Sequence, residues 1–272
     1  IKARLNGRRS TGGAVECLLN TPLSNNHWLA LISPAKRVNE NEQIVISQTL
    51  SIQIIKKYAK DNLHQIKLLS DYPIDEEINR YGETPLPPYI KTSRPNQYHD
   101  NYQTIFAKEA GAIAAPTAGL HFNDTLLSEL KEKQVQIEEI TLHVGYGTFT
   151  PIKTNNITDH HMHEERYEIK SETAKRLNQY KKEGRRIIAI GTTVARALES
   201  AFENNAFTSG MQKTSIFIYP GYSFSGIDAL LTNFHLPQSS LFILVSAFSS
   251  LKLMQTAYQE AITHQYRFFS FG

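Results

Sequence analysis

The chain has one cysteine among its 272 residues, Cys17, so it can form neither an intramolecular disulfide nor a Cys-rich zinc or iron-sulfur site. No uncharged apolar stretch reaches the roughly 18 residues needed to span a bilayer, and no membrane role is expected. No secretory signal opens the chain, and together these absences point to a reducing, cytoplasmic setting. Phosphate-binding signatures are missing as well. Without G-x-G-x-x-G or G-K-[ST], neither a dinucleotide fold nor a P-loop is supported, and the glycine loop of a standard methyltransferase is absent. Internal repeats and low-complexity tracts are lacking. The net charge of only +3 permits an anionic partner without demanding one.

What is present favours two domains, since the length exceeds that of a common single domain. Residues 1 to 85 alternate short apolar runs with turn signals: Ala14 to Leu19, Trp28 to Ile32, Ile44 to Ser47, Leu50 to Ile55 and Gln65 to Leu69. This spacing predicts a small all-β, barrel-like domain. Pro85-Leu-Pro-Pro-Tyr89 then stops regular structure, because proline lacks an amide donor and holds the backbone extended. It is read as the junction to an α/β domain over 86–272.

In that second part, Asn123 is placed to cap a helix through about Lys133, followed by a strand over Val135 to Val144. Ser171 is read as the cap of a helix ending near Gly184. Arg186 to Ile190 reads as a buried strand, Gly191-Thr-Thr193 as a tight turn, and Val194, Ala197, Leu198, Ala201 and Phe202 recur at helical spacing. Ser215 to Tyr219 and Ala229 to Phe234 read as further strands, and Ser239 or Ser240 as the cap of a helix over Leu241 to Phe248.

Several constellations carry chemistry. Asn233 and His235 lie between two apolar runs, where a strand should meet a helix. A similar polar loop, Ala115 to Phe122, pairs His121 with Phe122 far upstream. Two such loops are expected to form one composite site. The Gly191-Thr192-Thr193 turn exposes backbone amides at a helix N-terminus, which favours an anion, and Arg196 lies one turn on. Leu142 to Phe149 sets Gly145 and Gly147 among aromatics, a pattern suited to a sulfonium or a flat base as well as to a glycine-kinked core strand. The cluster from Asp159 to Glu165 is rich in histidine, but H-E-x-x-H is absent and no metal site is expected. Basic residues at 175–186 and 2–9 suit phosphates, or simply a solvated face.

Taken in order, the blocks Tyr102 to Ala107, Ala114 to Phe122, Leu142 to Gly145, Gly147 to Phe149, Met162-His163, Gly191 to Thr193 with Arg196, Leu198 to Ser200, Phe217 to Gly221, Asp228 to Leu230, Thr232 to Pro237, Leu244 to Phe248 and Tyr266 to Ser270 closely resemble the S-adenosylmethionine:tRNA ribosyltransferase-isomerases of queuosine biosynthesis. The resemblance runs along nearly the whole chain. Three departures are Tyr146 in place of a small residue, Val194-Ala195 in place of Ser-Val, and Arg166 in place of an aromatic. Family members extend at both ends, so terminal segments, the N-terminal one included, are expected to be missing here.

The resemblance implies transfer of the ribosyl part of S-adenosylmethionine onto 7-aminomethyl-7-deazaguanine at the tRNA wobble position, giving epoxyqueuosine with release of adenine and methionine. S-adenosylmethionine is then a co-substrate, no permanently bound cofactor is needed, and a monomer is expected. The chemistry needs a base beside the sulfonium, a donor for the departing adenine and a neutral amine, work suited to histidine. His121 and His235 lead as acid/base residues, with His143 and His163 behind them. Candidate binding residues are Thr117, Gly119, Phe122, Gly145, Gly147, Thr148, Phe149, Thr192, Thr193, Arg196, Asn233 and Phe234. Of the rings, Phe122, Phe149 and Phe234 are expected to flank adenine or the sulfonium. The alternatives are a non-catalytic RNA-binding module, which leaves the His and Asn loops unexplained, and a metal-dependent hydrolase.

Overall fold

The computed structural model describes residues 2–58, 63–86, 90, 101–109, 111–145, 152, 154 and 156–269. By its internal contacts the chain forms two units, Ile1–Tyr102 with Ala110–Ala114, and Gln103–Glu109 with Ala115–Gly272. The fold class is mixed α/β with a closed six-strand barrel.

The barrel belongs to the first unit. Its strands are β1 (Arg4–Arg9), β2 (Ala14–Pro22), β3 (His27–Ser33), β4 (Gln43–Val45), β5 (Ser51–Lys57) and β6 (Leu63–Leu69), ordered β1-β2-β3-β6-β5-β4 and antiparallel throughout. Period-2 patterning drives it. Ile52 and Ile54 of β5 and Ile66 and Leu68 of β6 point inward, where they meet Leu5, Val15, Ala30, Ile32 and Ile44. Closure removes the exposed edges that would otherwise template aggregation. It occurs where Arg8 pairs with Val45, next to Gly7. A side chain at Gly7 would lie 2.6 Å from Ile46 Cδ1 and 2.8 Å from the Val45 carbonyl, so only glycine lets β1 approach β4. Cys17 faces the same core, and burial pushes its thiol up, out of the reactive range. Helix α1 (Ile74–Tyr81), which the apolar pattern does not announce, lays Ile74, Ile78 and Tyr81 on the barrel.

The second unit contains α2 (Asp124–Glu132), β7 (Thr141–His143), β8 (Glu165–Ile169), α3 (Ser171–Lys182), β9 (Ile188–Ile190), α4 (Thr192–Ala201), β10 (Phe202–Glu203), β11 (Ala206–Phe207), β12 (Gly210–Thr214), β13 (Ala229–Leu231), α5 (Ser240–Phe248) and α6 (Leu251–Thr263). The strands form an antiparallel sheet β12-β8-β7, a parallel pair β9-β13 and a β10-β11 hairpin. Asn204 and Asn205, both at positive φ, make the hairpin turn. Side-chain caps set the starts of α2, α5 and α6: Asn123 accepts from the Leu126 amide, Ser239 from Phe242 and Ser250 from Leu253.

Helix α4 is the centre of this unit and is buried nearly all round, through Thr192, Ala195, Ala197, Leu198 and Ala201. Its two charged residues are buried too, and both are paired. Arg196 meets Glu165 of β8 and donates from Nε to the Ile216 carbonyl at 3.1 Å. Glu199 accepts from the Tyr222 hydroxyl at 3.0 Å and from the amides of Ser225, Gly226 and Ile227 at 3.1, 2.9 and 2.9 Å.

Several sequence expectations change. The strand expected over Val135 to Val144 shrinks to β7, because Val135 and Ile137 lie exposed, without a sheet to join. The strand expected over Ser215 to Tyr219 is found earlier, as β12, where β8 supplies its partner. Ser171 is the first residue of α3 rather than its cap. The buried strand ending at Ile190 is shorter, and its Ile188 is 51% exposed while Ala189 is buried, because the β9-β13 pair is covered on one face. The strand expected over Ala229 to Phe234 stops at Leu231. Among the described residues no single helix is long and apolar enough to cross a membrane.

Ile52 is fully buried in the barrel, so Ile52→Ala is expected to cost about 2–5 kcal/mol through lost burial and the cavity left behind. Urea unfolding followed through the barrel would show it as a lower midpoint.

Candidate active site

In the parallel pair β9-β13, Ile190 lies opposite Leu231, so both strands end at the same edge. Ligand sites of open parallel sheets form at such carboxyl ends. Three polar segments meet here. The first is the turn from β9 into α4, where Gly191 sits at φ +100°, a conformation that favours glycine. Its amide donates to the Leu231 carbonyl at 2.8 Å. The second is the irregular stretch Thr232 to His235 that follows β13. The third is a short 3-10 helix, Thr117–His121, whose Ala118 Cβ packs 3.5 Å from where a Gly191 side chain would begin.

Asn233 ties two of them together. Its Nδ2 donates to Thr117 Oγ1 at 3.1 Å, and its Oδ1 lies 2.5 Å from His121 Nε2. An amide oxygen can only accept, so the His121 ring carries a proton on Nε2, and in its neutral form Nδ1 is the acceptor. His121 is exposed, so that nitrogen can meet a ligand arriving from solvent. The amide thus fixes the orientation of an exposed imidazole.

His235 is different. It is 9% exposed, its Nε2 lies 3.3 Å from Thr232 Oγ1, and its Nδ1 is buried without a hydrogen-bond partner among the described residues. Burial pushes its pKa down to about 4, so the ring is neutral near pH 7. It is a hydrogen-bonding group there rather than a proton carrier. The two leading acid/base candidates therefore differ in burial, His121 exposed and His235 covered. The His235 backbone amide donates to the Tyr258 hydroxyl at 2.7 Å.

Arg196 is corrected as well. Although it follows the Gly191 turn by one helical turn, it is 2% exposed and its guanidinium is committed to Glu165 and the Ile216 carbonyl. It points into the unit, not out to an anion at the helix start. The opening amides of α4 remain, with Thr192 buried and Thr193 half-buried, and Gly191 offers them no side-chain cap. Phe234 lies inside an aromatic group, 5.1 Å from Tyr258 edge-on and 6.1 Å from Phe268 in a stack, so protein rings already flank it. Phe122 packs edge-on against Phe106 at 5.8 Å, and Gly119 is buried against Thr104.

Among the described residues, no hydrogen bond joins His143 or His163 to this group. His143 ends β7 opposite Arg166, with half-buried Gly145 just beyond, and His163 is exposed ahead of β8. Gly147, Thr148 and Phe149, with Tyr146, lie outside the described residues. In the histidine-rich loop His160 packs on the Phe217 ring at 4.9 Å and Glu165 turns inward to Arg196. Among the described residues no group of three or more His, Cys, Asp or Glu is placed to hold a metal ion. Two contributors escaped the sequence reading. Thr232 had a signal, being three residues before His235, whereas Tyr258 lies on a distant helix and had none.

A family model described as "Queuosine biosynthesis protein" matches residues 1–272. The chain belongs to the queuosine biosynthesis protein family. Relatives of this family member include proteins named S-adenosylmethionine:tRNA ribosyltransferase-isomerase from Carboxydothermus hydrogenoformans and Staphylococcus haemolyticus, each 47% identical over all of this chain and 80% of its own length. The one from Natranaerobius thermophilus is 45% identical, again over all of this chain and 80% of its own length. A solved structure, the S-adenosylmethionine tRNA ribosyltransferase of Thermotoga maritima, is 32% identical, covers 100% of this chain and 77% of that one, and superposes with a TM-score of 0.48. The sequence matches, not that superposition, place the chain in the family.

The buried His235 ring is expected to make this queuosine biosynthesis protein sensitive to acid. Its folded pKa is depressed relative to an unfolded value near 6.5, so its contribution to stability is complete above about pH 6.5 and is lost as pH falls towards 4, by up to about 3 kcal/mol. Denaturant unfolding at stepped pH should show a steeper loss in the wild type than in His235→Gln, which has no ring to titrate.

Proposed function

We propose that the chain is an S-adenosylmethionine:tRNA ribosyltransferase-isomerase. It moves the ribosyl group of S-adenosylmethionine onto 7-aminomethyl-7-deazaguanine at the tRNA wobble position and rearranges it to give epoxyqueuosine-tRNA, adenine and methionine. Family membership supports the reaction. The observation that carries the site is the Thr117–Asn233–His121 chain of hydrogen bonds at the edge where β9 and β13 end.

In this reading His121 is the base. Asn233 holds its Nε2 proton, which leaves Nδ1 to accept the proton removed beside the sulfonium. Fixing the ring in advance avoids the cost of orienting it during reaction. The opening amides of α4 hold the methionine carboxylate or a tRNA phosphate without help from Arg196. His235, neutral and buried, offers one hydrogen bond from within the site to the departing adenine. Phe122 is a ring available to flank the sulfonium, a contact worth about 0.5–2 kcal/mol. His143 and His163, with Gly145, Gly147, Thr148 and Phe149, belong to this reading as a second rank of substrate contacts. The larger unit is the catalytic domain, S-adenosylmethionine is a co-substrate with no resident cofactor beside it, and the enzyme acts as a cytoplasmic monomer.

Adenine release from S-adenosylmethionine, followed with and without tRNA carrying the aminomethyl-deazaguanine, tests the function. Release that depends on the modified tRNA and matches ribosyl transfer is the expected result. tRNA binding without S-adenosylmethionine binding would favour the RNA-binding module instead. His121→Ala should lower kcat by about 10²–10⁴-fold. Full turnover in both His121→Ala and His235→Ala would refute the assignment.

A further inference from the structure

The segment from Thr232 to His235 belongs to neither β13 nor α5, so no sheet or helix ladder takes up its amides. Its shape must come from side chains. Asn233 is held by Thr117 and His121, and further anchors come from α6 and the stretch after it. Tyr258 of α6 accepts the His235 amide at 2.7 Å through its hydroxyl, the shortest hydrogen bond to that residue. The same ring packs edge-on against Phe234 at 5.1 Å and against Phe242 of α5 at 5.0 Å. Phe268 stacks on Phe234 from beyond the helix. A rigid two-torsion side chain wedged between α5 and the segment thus fixes where a single oxygen sits, and that oxygen fixes the backbone two residues after Asn233.

We propose that Tyr258 is a positioning residue for the reaction. Its hydroxyl holds the Asn233–His235 backbone in the register that lets Asn233 orient His121, and it touches none of the reacting atoms. The proposal rests on the reading of His121 and Asn233 as the reacting centre. It assigns a catalytic consequence to a helix with no candidate residue of its own.

Tyr258→Phe removes the oxygen and keeps the ring, so it separates positioning from packing. The expected result is a fall in kcat for adenine release of about tenfold, the scale of one neutral hydrogen bond, with the KM values for S-adenosylmethionine and modified tRNA held within about twofold. Hydrogen exchange at the His235 amide should accelerate in the same variant. Phe242→Leu is the packing control. It keeps the Tyr258 hydroxyl and thins only the ring's packing, so it should lower the thermal midpoint and cost kcat clearly less than Tyr258→Phe does. An unchanged kcat in Tyr258→Phe, or an equal loss of kcat in Phe242→Leu, overturns the proposal. His121→Ala, run alongside, tells the two possible failures apart. Full turnover there removes the reading of the centre and the proposal with it, whereas a dead His121→Ala beside a wild-type Tyr258→Phe removes the positioning role alone.

Discussion

A helix buried on nearly every side can carry charge only where each charge has a partner, and α4 carries two. Leaving either alone in the interior would cost several kcal/mol, so the surroundings are built to meet them. Glu165 of β8 meets Arg196, and three consecutive amides with the Tyr222 hydroxyl meet Glu199. These partners lie on opposite chain sides of the helix in sequence, one before it and one after. Together they dictate how α4 lies among β8 and the stretch from 216 to 227. The helix start is thereby fixed, and with it the Gly191 turn.

Everything at the candidate site leans on that turn. Gly191 hydrogen-bonds the end of β13 and leaves room for Ala118, so the 3-10 helix carrying Thr117 and His121 comes to rest beside the loop carrying Asn233. Two histidines in one site then acquire opposite characters. His121 lies exposed, with its ring held by the Asn233 amide. His235, buried at the end of the same stretch as Asn233, has its pKa pushed down because a buried cation has no water to stabilise it. Environment, not residue type, sets the two rings apart.

Much of this was legible in the sequence for local reasons. Alternation at Ile52, Ile54, Ile66 and Leu68 marked the barrel, since inward and outward faces repeat every two residues. Asn123 and Ser239 announced their helices because a cap acts within three residues. The pairing of the His121 and Asn233 loops was legible only as a guess from their likeness, and the recurrence of family blocks made it sharper. Where partners are distant the reading failed. The run from Val135 has strand-like residues but no neighbouring strand, and Ser215 to Tyr219 was displaced from the true strand by the register of β8.

By itself, then, the sequence determined the elements whose causes are local: the barrel strands, the capped helices, the glycine turn at 191 and the blocks that place the chain in its family. Tertiary structure decided what depends on distant partners. It turned Arg196 inward to Glu165, surrounded Phe234 with Tyr258 and Phe268, and buried His235 while leaving His121 in solvent. Burial and pairing are properties of the packed chain, and spacing along a sequence carries no information about which of two alike side chains will be covered.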